Sequence, residues 1–317
     1  MTIAVKTIRI ALVAREPTAT TVGLAAVELE WAELVTTSPE EAAALLRPGD
    51  VALGRLDVRA SLDGVEEGLW ALGVLGARGV RVLNGPGVLL AAHDKLVTAR
   101  VLRRAGLPHP RTHVVRGVEP ELPLAPPVIV KPRYGSWGRA VLRVDDAEEF
   151  AIELRRIAEE PWYRVHGALV QELVPPVGHD LRLIVADGEV VGAIRRVAAA
   201  GEWRTNVALG ATRVSMTPPA TACALGRAAA TAIGASLVGV DLLPDGRGGW
   251  SILELNGAVE FNDQYGPSVF RRAALSIVRA ARDCEQTRSA DDTIGRRQRI
   301  AGRPGSVPEG QTPRALP

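Results

Sequence analysis

Residues 128–139 read Val128-Ile129-Val130-Lys131-Pro132-Arg133-Tyr134-Gly135-Ser136-Trp137-Gly138-Arg139. Its three leading apolar residues form a short buried strand. The strand delivers a lysine and then a loop carrying two glycines and a serine. Glycines let a loop backbone approach phosphates closely, and successive N–H groups make a concave anion nest. A lysine beside such a nest adds a point charge for a polyphosphate. The spacing is not GxxxxGK[ST], so the segment is not a P-loop. An ordinary β-hairpin with a glycine bulge accounts for the same residues, so partners elsewhere in the chain must decide.

Downstream lie Asp241-Leu-Leu and Ile252-Leu253-Glu254-Leu255-Asn256. Strand side chains alternate faces, so Glu254 and Asn256 share one face while Leu253 and Leu255 point to the core. Asp241, on the preceding strand of the expected hairpin, joins them. Two carboxylates and an amide oxygen form an all-oxygen set suited to one or two Mg²⁺, with Mn²⁺ accepted by the same donors. The solvated face of an edge strand is the competing reading. A further segment, Leu169-Val-Gln171-Glu172-Leu173-Val-Pro-Pro176, ends an apolar strand in Pro-restricted chain that offers main-chain groups to a flat base. Asp180 comes soon after, with a carboxylate suited to ribose hydroxyls.

The chain has 317 residues, enough for about two domains. Lys+Arg 38 nearly balance Asp+Glu 36, and the excess lies in an Arg-containing tail beyond Cys284, so no nucleic-acid partner is indicated. Two cysteines, Cys223 and Cys284, make neither a disulfide framework nor a four-Cys zinc site. No segment reaches 18 uninterrupted apolar residues, so no membrane partner is expected, and the protein is read as cytoplasmic. A first domain over 1–86 holds strands at 8–13, 51–53 and 80–83 around a helix near 66–75, a βαβ pattern with a parallel sheet. Asn84-Gly-Pro-Gly87 breaks the chain. Helices are expected at 93–105, 147–158, 220–235 and 267–282. Strands are expected at 112–115, 128–131, 140–144, 168–172, 181–186, 189–197, 237–243 and 250–255, with Asp187-Gly188 as a hairpin turn. The composition of 285–317 predicts a disordered tail.

In this order the pieces resemble the ATP-grasp superfamily. Within it they are most similar to the RimK-type and LysX-type carboxylate–amine ligases, the alpha-L-glutamate ligase family. The matching residues are Asn84, Asp94-Lys95, Val130-Lys131-Pro132 with Gly135-Ser136-x-Gly138, Gln171-Glu172-Leu173, Gly178-His-Asp180-Leu-Arg182, Arg195-Arg196, Trp203-Arg204-Thr-Asn206, Gly210, Gly239-Val-Asp241-Leu and Leu253-Glu254-Leu-Asn256. They cover roughly 84–283. The resemblance implies an α/β chain of the α+β grasp type: an ATP-grasp fold with a preceding Rossmann-like domain over 1–86, a central lid domain over 87–165 and a C-terminal domain over 166–284. It implies that Lys95 and Lys131 hold ATP phosphates and that Gly135, Ser136 and Gly138 cover the terminal ones. Gln171, Glu172 and Leu173 would border adenine, Asp180 the ribose, and Asp241, Glu254 and Asn256 the magnesium. Arg182, Arg195, Arg204 and Asn206 are the catalytic candidates, because guanidinium binds oxyanions bidentately. Arg196 alternates away from Arg195, so only one of the pair is expected in the site.

The implied reaction converts a carboxylate to an acyl phosphate with ATP, and an amine then displaces phosphate to leave an amide. The implied substrates are a glutamate-like amino acid and a carboxylate on a small molecule, a peptide or a carrier protein. A homo-oligomer is compatible with this. A kinase acting on a hydroxyl, or a non-catalytic nucleotide-binding regulator, are the alternatives. Two departures stand out. The loop after the magnesium strand reads Asn256-Gly-Ala-Val-Glu260-Phe261-Asn262, closer to the LysX-type pattern than to RimK, which puts glutamate as the amine in doubt. The glycine loop also carries bulky Arg133, Tyr134, Trp137 and Arg139; Tyr134 and Trp137 would shield the site from water, touch substrate or form outer lid surface. The five histidines show no metal spacing; His179 is a site-edge candidate beside Asp180.

Overall fold

Among the described residues three sheets succeed one another along the chain in the computed structural model, which covers residues 8–117 and 119–282. The expected disordered tail at 285–317 lies outside these residues.

The first sheet is parallel throughout. It contains β1 (Ile8–Val13), β2 (Ala32–Thr37), β3 (Val51–Gly54) and β4 (Arg81–Leu83) in the order β2-β1-β3-β4. Helices α1 (Ala19–Ala25), α2 (Pro39–Leu45) and α3 (Leu69–Ala77) make the crossovers. Apolar patterning marks β1, β3, β4 and α3 but not α1, β2 or α2. The two unmarked helices are short and rest on capping boxes, Thr18 with Thr21 and Ser38 with Glu41, rather than on apolar periodicity.

Next come α4 (Pro86–His93), which was not expected, and α5 (Lys95–Arg104), which is the helix expected over 93–105. The break is Asp94, whose backbone is extended and whose carboxylate accepts from Leu96 and Val97 N–H at 3.1 and 3.3 Å. A capping side chain offers the backbone a better partner than helix continuation.

The second sheet is antiparallel, with β5 (Thr112–Val115), β6 (Val128–Pro132), β7 (Leu142–Val144) and β8 (Ala168–Glu172) in the order β5-β8-β6-β7. Helices α6 (Ala147–Ile157) and α7 (Pro161–His166) precede β8, and Phe150, Leu154 and Trp162 close the core on that side. The third sheet runs β11-β10-β9-β12-β13, formed by β9 (His179–Ala186), β10 (Glu189–Val197), β11 (Thr212–Ser215), β12 (Leu237–Pro244) and β13 (Trp250–Asn256). Helix α8 (Ala220–Ile233) lies across it, and a last helix begins at 269.

Strand β8 pairs with β5 and β6, so the sheet that bears the glycine loop runs to Glu172. Ala91, Ala92 and Leu102, on α4 and α5, share the core of the third sheet with Leu183, Val240 and Ile252. These three residues complete the core of the third sheet, while Leu89 of α4 packs into that of the first. No described helix is long and apolar enough to cross a membrane.

Candidate active site

The third sheet carries a ladder of charges fixed by strand register. Asp180 and Arg182 lie on one face of β9. Arg196 of β10 sits directly opposite Asp180, Asp241 of β12 opposite Arg182, and Glu254 of β13 opposite Asp241. Arg182 donates to both Asp241 oxygens at 2.6 Å, and Arg196 reaches Asp241 at 2.9 Å and grips Asp180 with both Nε and Nη2. Thr205 Oγ1 donates to Asp180 at 2.7 Å. Burial alone would raise the Asp241 carboxyl, but Arg182 and Arg196 outweigh it and hold it down at about 2.

The glycine loop between β6 and β7 closes the other side. Lys131 is 5% exposed and donates to Gln171 Oε1 at 2.7 Å. Gln171 in turn donates to Thr112 Oγ1 at 2.8 Å, so its amide is spent on orienting the lysine. Burial, reinforced by Lys95 and opposed by Glu254, pushes the Lys131 ammonium down to about 8. Lys95 Nζ bridges the two sides: it donates to the Gly135 carbonyl and pairs with Glu254 at 3.1 Å. Its helix start is clamped by Asp94, which also takes a bidentate Arg133 and the Tyr134 hydroxyl at 3.0 Å.

Together these groups line one open cleft. Lys95, Lys131, Gly135, Ser136, Gly138, Gln171, Glu172, Leu173, Asp180, Arg204, Asn206, Asp241 and Glu254 all border it, as does His179. Arg182 and Asn256 stand behind the lining: Arg182 on Asp241, and Asn256 with its Oδ1 accepting from Ala258 N–H at 3.0 Å. Arg204 is held by Glu202, whose carboxyl it pulls down to about 2, chiefly through their side-chain hydrogen bond. Asn206 presses on the glycine loop: a Cβ at Gly138, whose φ is +73°, would come within 2.7 Å of its Oδ1.

Four expectations need correction. Arg195 is exposed and outside the cleft, and Arg196 takes its place. The cause is a β-bulge in β10, where Val191 is skipped and the pairing slips by one residue. A second bulge, in β13, leaves Leu253 unpaired and turns it into the cleft wall instead of the core. Asp180 is 0% exposed with both oxygens engaged by Arg196 and Thr205, so it braces the cleft rather than presenting a free carboxylate to a ribose. Tyr134 is buried against His166 at 5.1 Å and bonded to Asp94, neither a water shield nor lid surface. Sequence reasoning also misses His109, which holds the Ile252 carbonyl at 2.8 Å and backs Gln171; burial pushes it down to about 4. Its only sequence signal is the Pro-flanked position before β5.

The oxygen donors test a magnesium site. No group of three or more His, Cys, Asp or Glu shaped for a metal occurs among the described residues. Glu254 and Asp241 nonetheless stand on neighbouring strands with hard-oxygen donors only, and Mg²⁺ binds through one or two carboxylates plus phosphate oxygens and water. Glu254, partly exposed, is the accessible ligand, whereas Asp241 must first give up an arginine contact. The donor set fits on that condition.

A model of the RimK-like ATP-grasp domain matches residues 92–265. The tetrahydromethanopterin:alpha-L-glutamate ligase of Methanosarcina acetivorans is 31% identical over 239 residues, 68% of this chain and 72% of that protein. The glutamate–LysW ligase ArgX of Sulfurisphaera tokodaii is 32% identical over 221 residues, 68% of this chain and 78% of its own. Among solved structures, a RimK domain ATP-grasp protein of Sphaerobacter thermophilus superposes with a TM-score of 0.60 at 24% identity, covering 84% of this chain and 98% of that one. The D-alanine–D-alanine ligase of Bacillus anthracis, complexed with ATP, gives 0.62 at 16% identity, covering 86% and 98%. The fold of these neighbours is the fold found here, and the chain belongs to the RimK-like ATP-grasp family, whose members use ATP.

Proposed function

We propose that this chain, a carboxylate–amine ligase of the ATP-grasp family, joins a glutamate-like amino acid to a carboxylate of a small molecule, a peptide or a carrier protein. The observation that carries the reading is the convergence of Lys95, Lys131 and Glu254 around the glycine loop in one cleft. The amino acid and the carrier are supported by relatives named as glutamate and LysW ligases. ATP phosphates are read as lying between Lys131, Lys95 and the loop of Gly135, Ser136 and Gly138, with adenine toward Glu172, Leu173 and Leu253. Glu254 is the first magnesium ligand, with Asp241 and Asn256 behind it; the ion, when bound, would neutralise phosphate oxygens. Residues 8–83 are read as the preceding Rossmann-like domain, on the strength of their parallel sheet.

One oxygen of the acceptor carboxylate attacks the γ-phosphorus, the bond to ADP breaks, and an acyl phosphate forms. The amine nitrogen then attacks the acyl carbon, loses a proton and expels phosphate. Phosphoryl transfer asks for positioning and charge neutralisation more than covalent help. Lys131 and Lys95 hold charge, while Arg204 and Asn206 stand over the loop where the phosphate leaves. ATP chemistry supports a cytoplasmic site of action.

The test is isotopic. Label in the carboxylate oxygen of the acceptor is expected to appear in the released phosphate during amide formation. Amide formed with unlabelled phosphate would exclude the acyl phosphate. ADP formation that transfers phosphoryl to a hydroxyl, with no need for an amine, would point to a kinase instead.

A further inference from the structure

A second cleft opens at the carboxyl ends of β1 and β3, and its central feature is a buried arginine. Arg55 comes directly after β3 and is 3% exposed. Its Nη2 donates to the Val259 carbonyl at 2.7 Å and to Glu260 Oε1 at 3.0 Å. Its Nε and Nη1 are buried with no hydrogen-bond partner. A buried cation with two idle donors is costly, and such groups are kept where a ligand or ordered water completes them.

The position of that arginine narrows the choice. In the order β2-β1-β3-β4 the chain leaves β1 toward one edge and β3 toward the other. Ligands of open parallel sheets sit outside the carboxyl ends of the strands at this switch point. The cleft is lined there by Arg15 and Thr18 after β1, by Arg55 and Asp57 after β3, and by Trp137 and Glu260 from the other two sheets' loops. Trp137 belongs to the same loop as Ser136 and Gly138, which border the ATP cleft, so the two clefts share a wall.

We propose that Arg55 binds a non-reacting carboxylate of a ligation substrate in this cleft, the substrate being an amino acid or a dicarboxylic acid seated beside the terminal phosphate. Guanidinium N–H groups match carboxylate oxygens, and no other group of the cleft offers buried, unengaged donors among the described residues. Glu260 shares the arginine and also accepts from Thr20 N–H at 3.1 Å, which leaves a carboxylate in place to meet the ammonium of an amino acid. The inference rests on the ligase reading above for the identity of its ligand, but not for its binding test.

The probes are the twenty amino acids and the C4 and C5 dicarboxylates, each compared with its carboxamide analogue, with binding read by calorimetry on the ADP-saturated full chain. The tightest acid is expected to lose roughly 10–100-fold when its anchoring carboxylate becomes an amide. Arg55→Gln should cost a similar factor, and the two changes together should cost little more than either alone. An amino acid whose α-carboxamide fails, or a diacid whose monoamide fails, tells the two sources apart. Equal binding of acid and amide to the wild-type protein, which needs no variant to fold, would overturn the proposal, as would the absence of any binding at millimolar concentration. So would an Arg55→Gln protein that folds and binds the acid normally, because the arginine would then be completed by water alone. If acids bind through Arg55 and no amide is ever formed, the ligase reading fails while the site stands. Amide formation insensitive to Arg55 gives the reverse.

Discussion

The charged face of the third sheet and the glycine loop opposite it solve the same problem by different means. On the sheet, Asp180, Arg196, Arg182 and Asp241 neutralise one another across three strands at positions that register dictates. In the loop, Trp137, Gly138 and Ala140 hold φ values of 65°, 73° and 53°, and Trp137 is 58% exposed. Left-handed backbone at a residue other than glycine costs about 1–2 kcal/mol, so the loop carries a strain that the sheet does not. One wall of the cleft is therefore fixed by its own ion pairs, while the other is held in unusual backbone.

Arg196 ties the charged ladder together. Arg196→Met removes the cation shared by two buried carboxylates, and stability should fall by about 3–5 kcal/mol in denaturant melts. A melt close to wild type would mean that the charge ladder is not preset. Glu254 offers the matching test of chemistry. It is partly exposed and, among the described residues, its one ion pair is with Lys95, so Glu254→Gln should leave the melting temperature nearly unchanged. Turnover should drop at least a hundredfold, about 3 kcal/mol in the barrier. Normal turnover would remove Glu254 from the site.

Lys131 stands at the junction of the two walls, and Lys131→Met should weaken ATP binding by roughly 10–100-fold in titration calorimetry. Burial first, then Lys95, depresses the folded-state pKa of Lys131 to about 8 against the ordinary 10.5, with Glu254 acting the other way. Between those values the unfolded chain holds more protons, so this group makes stability rise with pH over that window. Below about 8 the full penalty of the buried charge is present. Lys131→Met should therefore gain stability relative to wild type at pH 7, and the gain should shrink as pH approaches 10.5. ATP affinity of the wild type should fall as pH rises through 8, and the variant should lack that step. A pH-independent difference in melts would mean that the lysine is not desolvated.

The same residues show how far the sequence can be read. Glu254, Asp241, Lys131 and the glycine loop are legible because alternation and short spacings determine them, and all border one cleft. Arg196 and Leu253 are not, because each depends on a bulge, and a single skipped residue reverses the face of every later position in the strand. Gly192, beside the first bulge, is the available signal: a Cβ there would meet Val269 at 2.8 Å. Periodicity shows that a face of α5 is apolar, not which sheet it covers; in the structure Leu102 joins the core of the third sheet. Arg55 draws no notice in the sequence, since one arginine after a strand has no pattern; only its burial with idle donors marks it.

The smallest effect tests the bulge itself. Arg195 and Arg196 are adjacent, yet the register sets Arg196 against Asp180 and Arg195 against Leu181 on the other face. Arg195 is exposed, so Arg195→Ala should change stability by no more than about 0.5 kcal/mol. Turnover and ATP affinity should stay at wild-type values. Counting from the Asp187-Gly188 turn without the bulge would pair Arg195 with Asp180 instead. A strand has period two, so that slip would bring Arg195 into the cleft and send Arg196 to solvent. The two variants therefore form an internal control: their effects should differ by several kcal/mol in the order given, and a bulge-free β10 would exchange them. A destabilised or inactive Arg195→Ala protein beside a tolerant Arg196→Met one would show that the working enzyme uses the unbulged register, and the ladder from Asp180 to Glu254 would have to be redrawn.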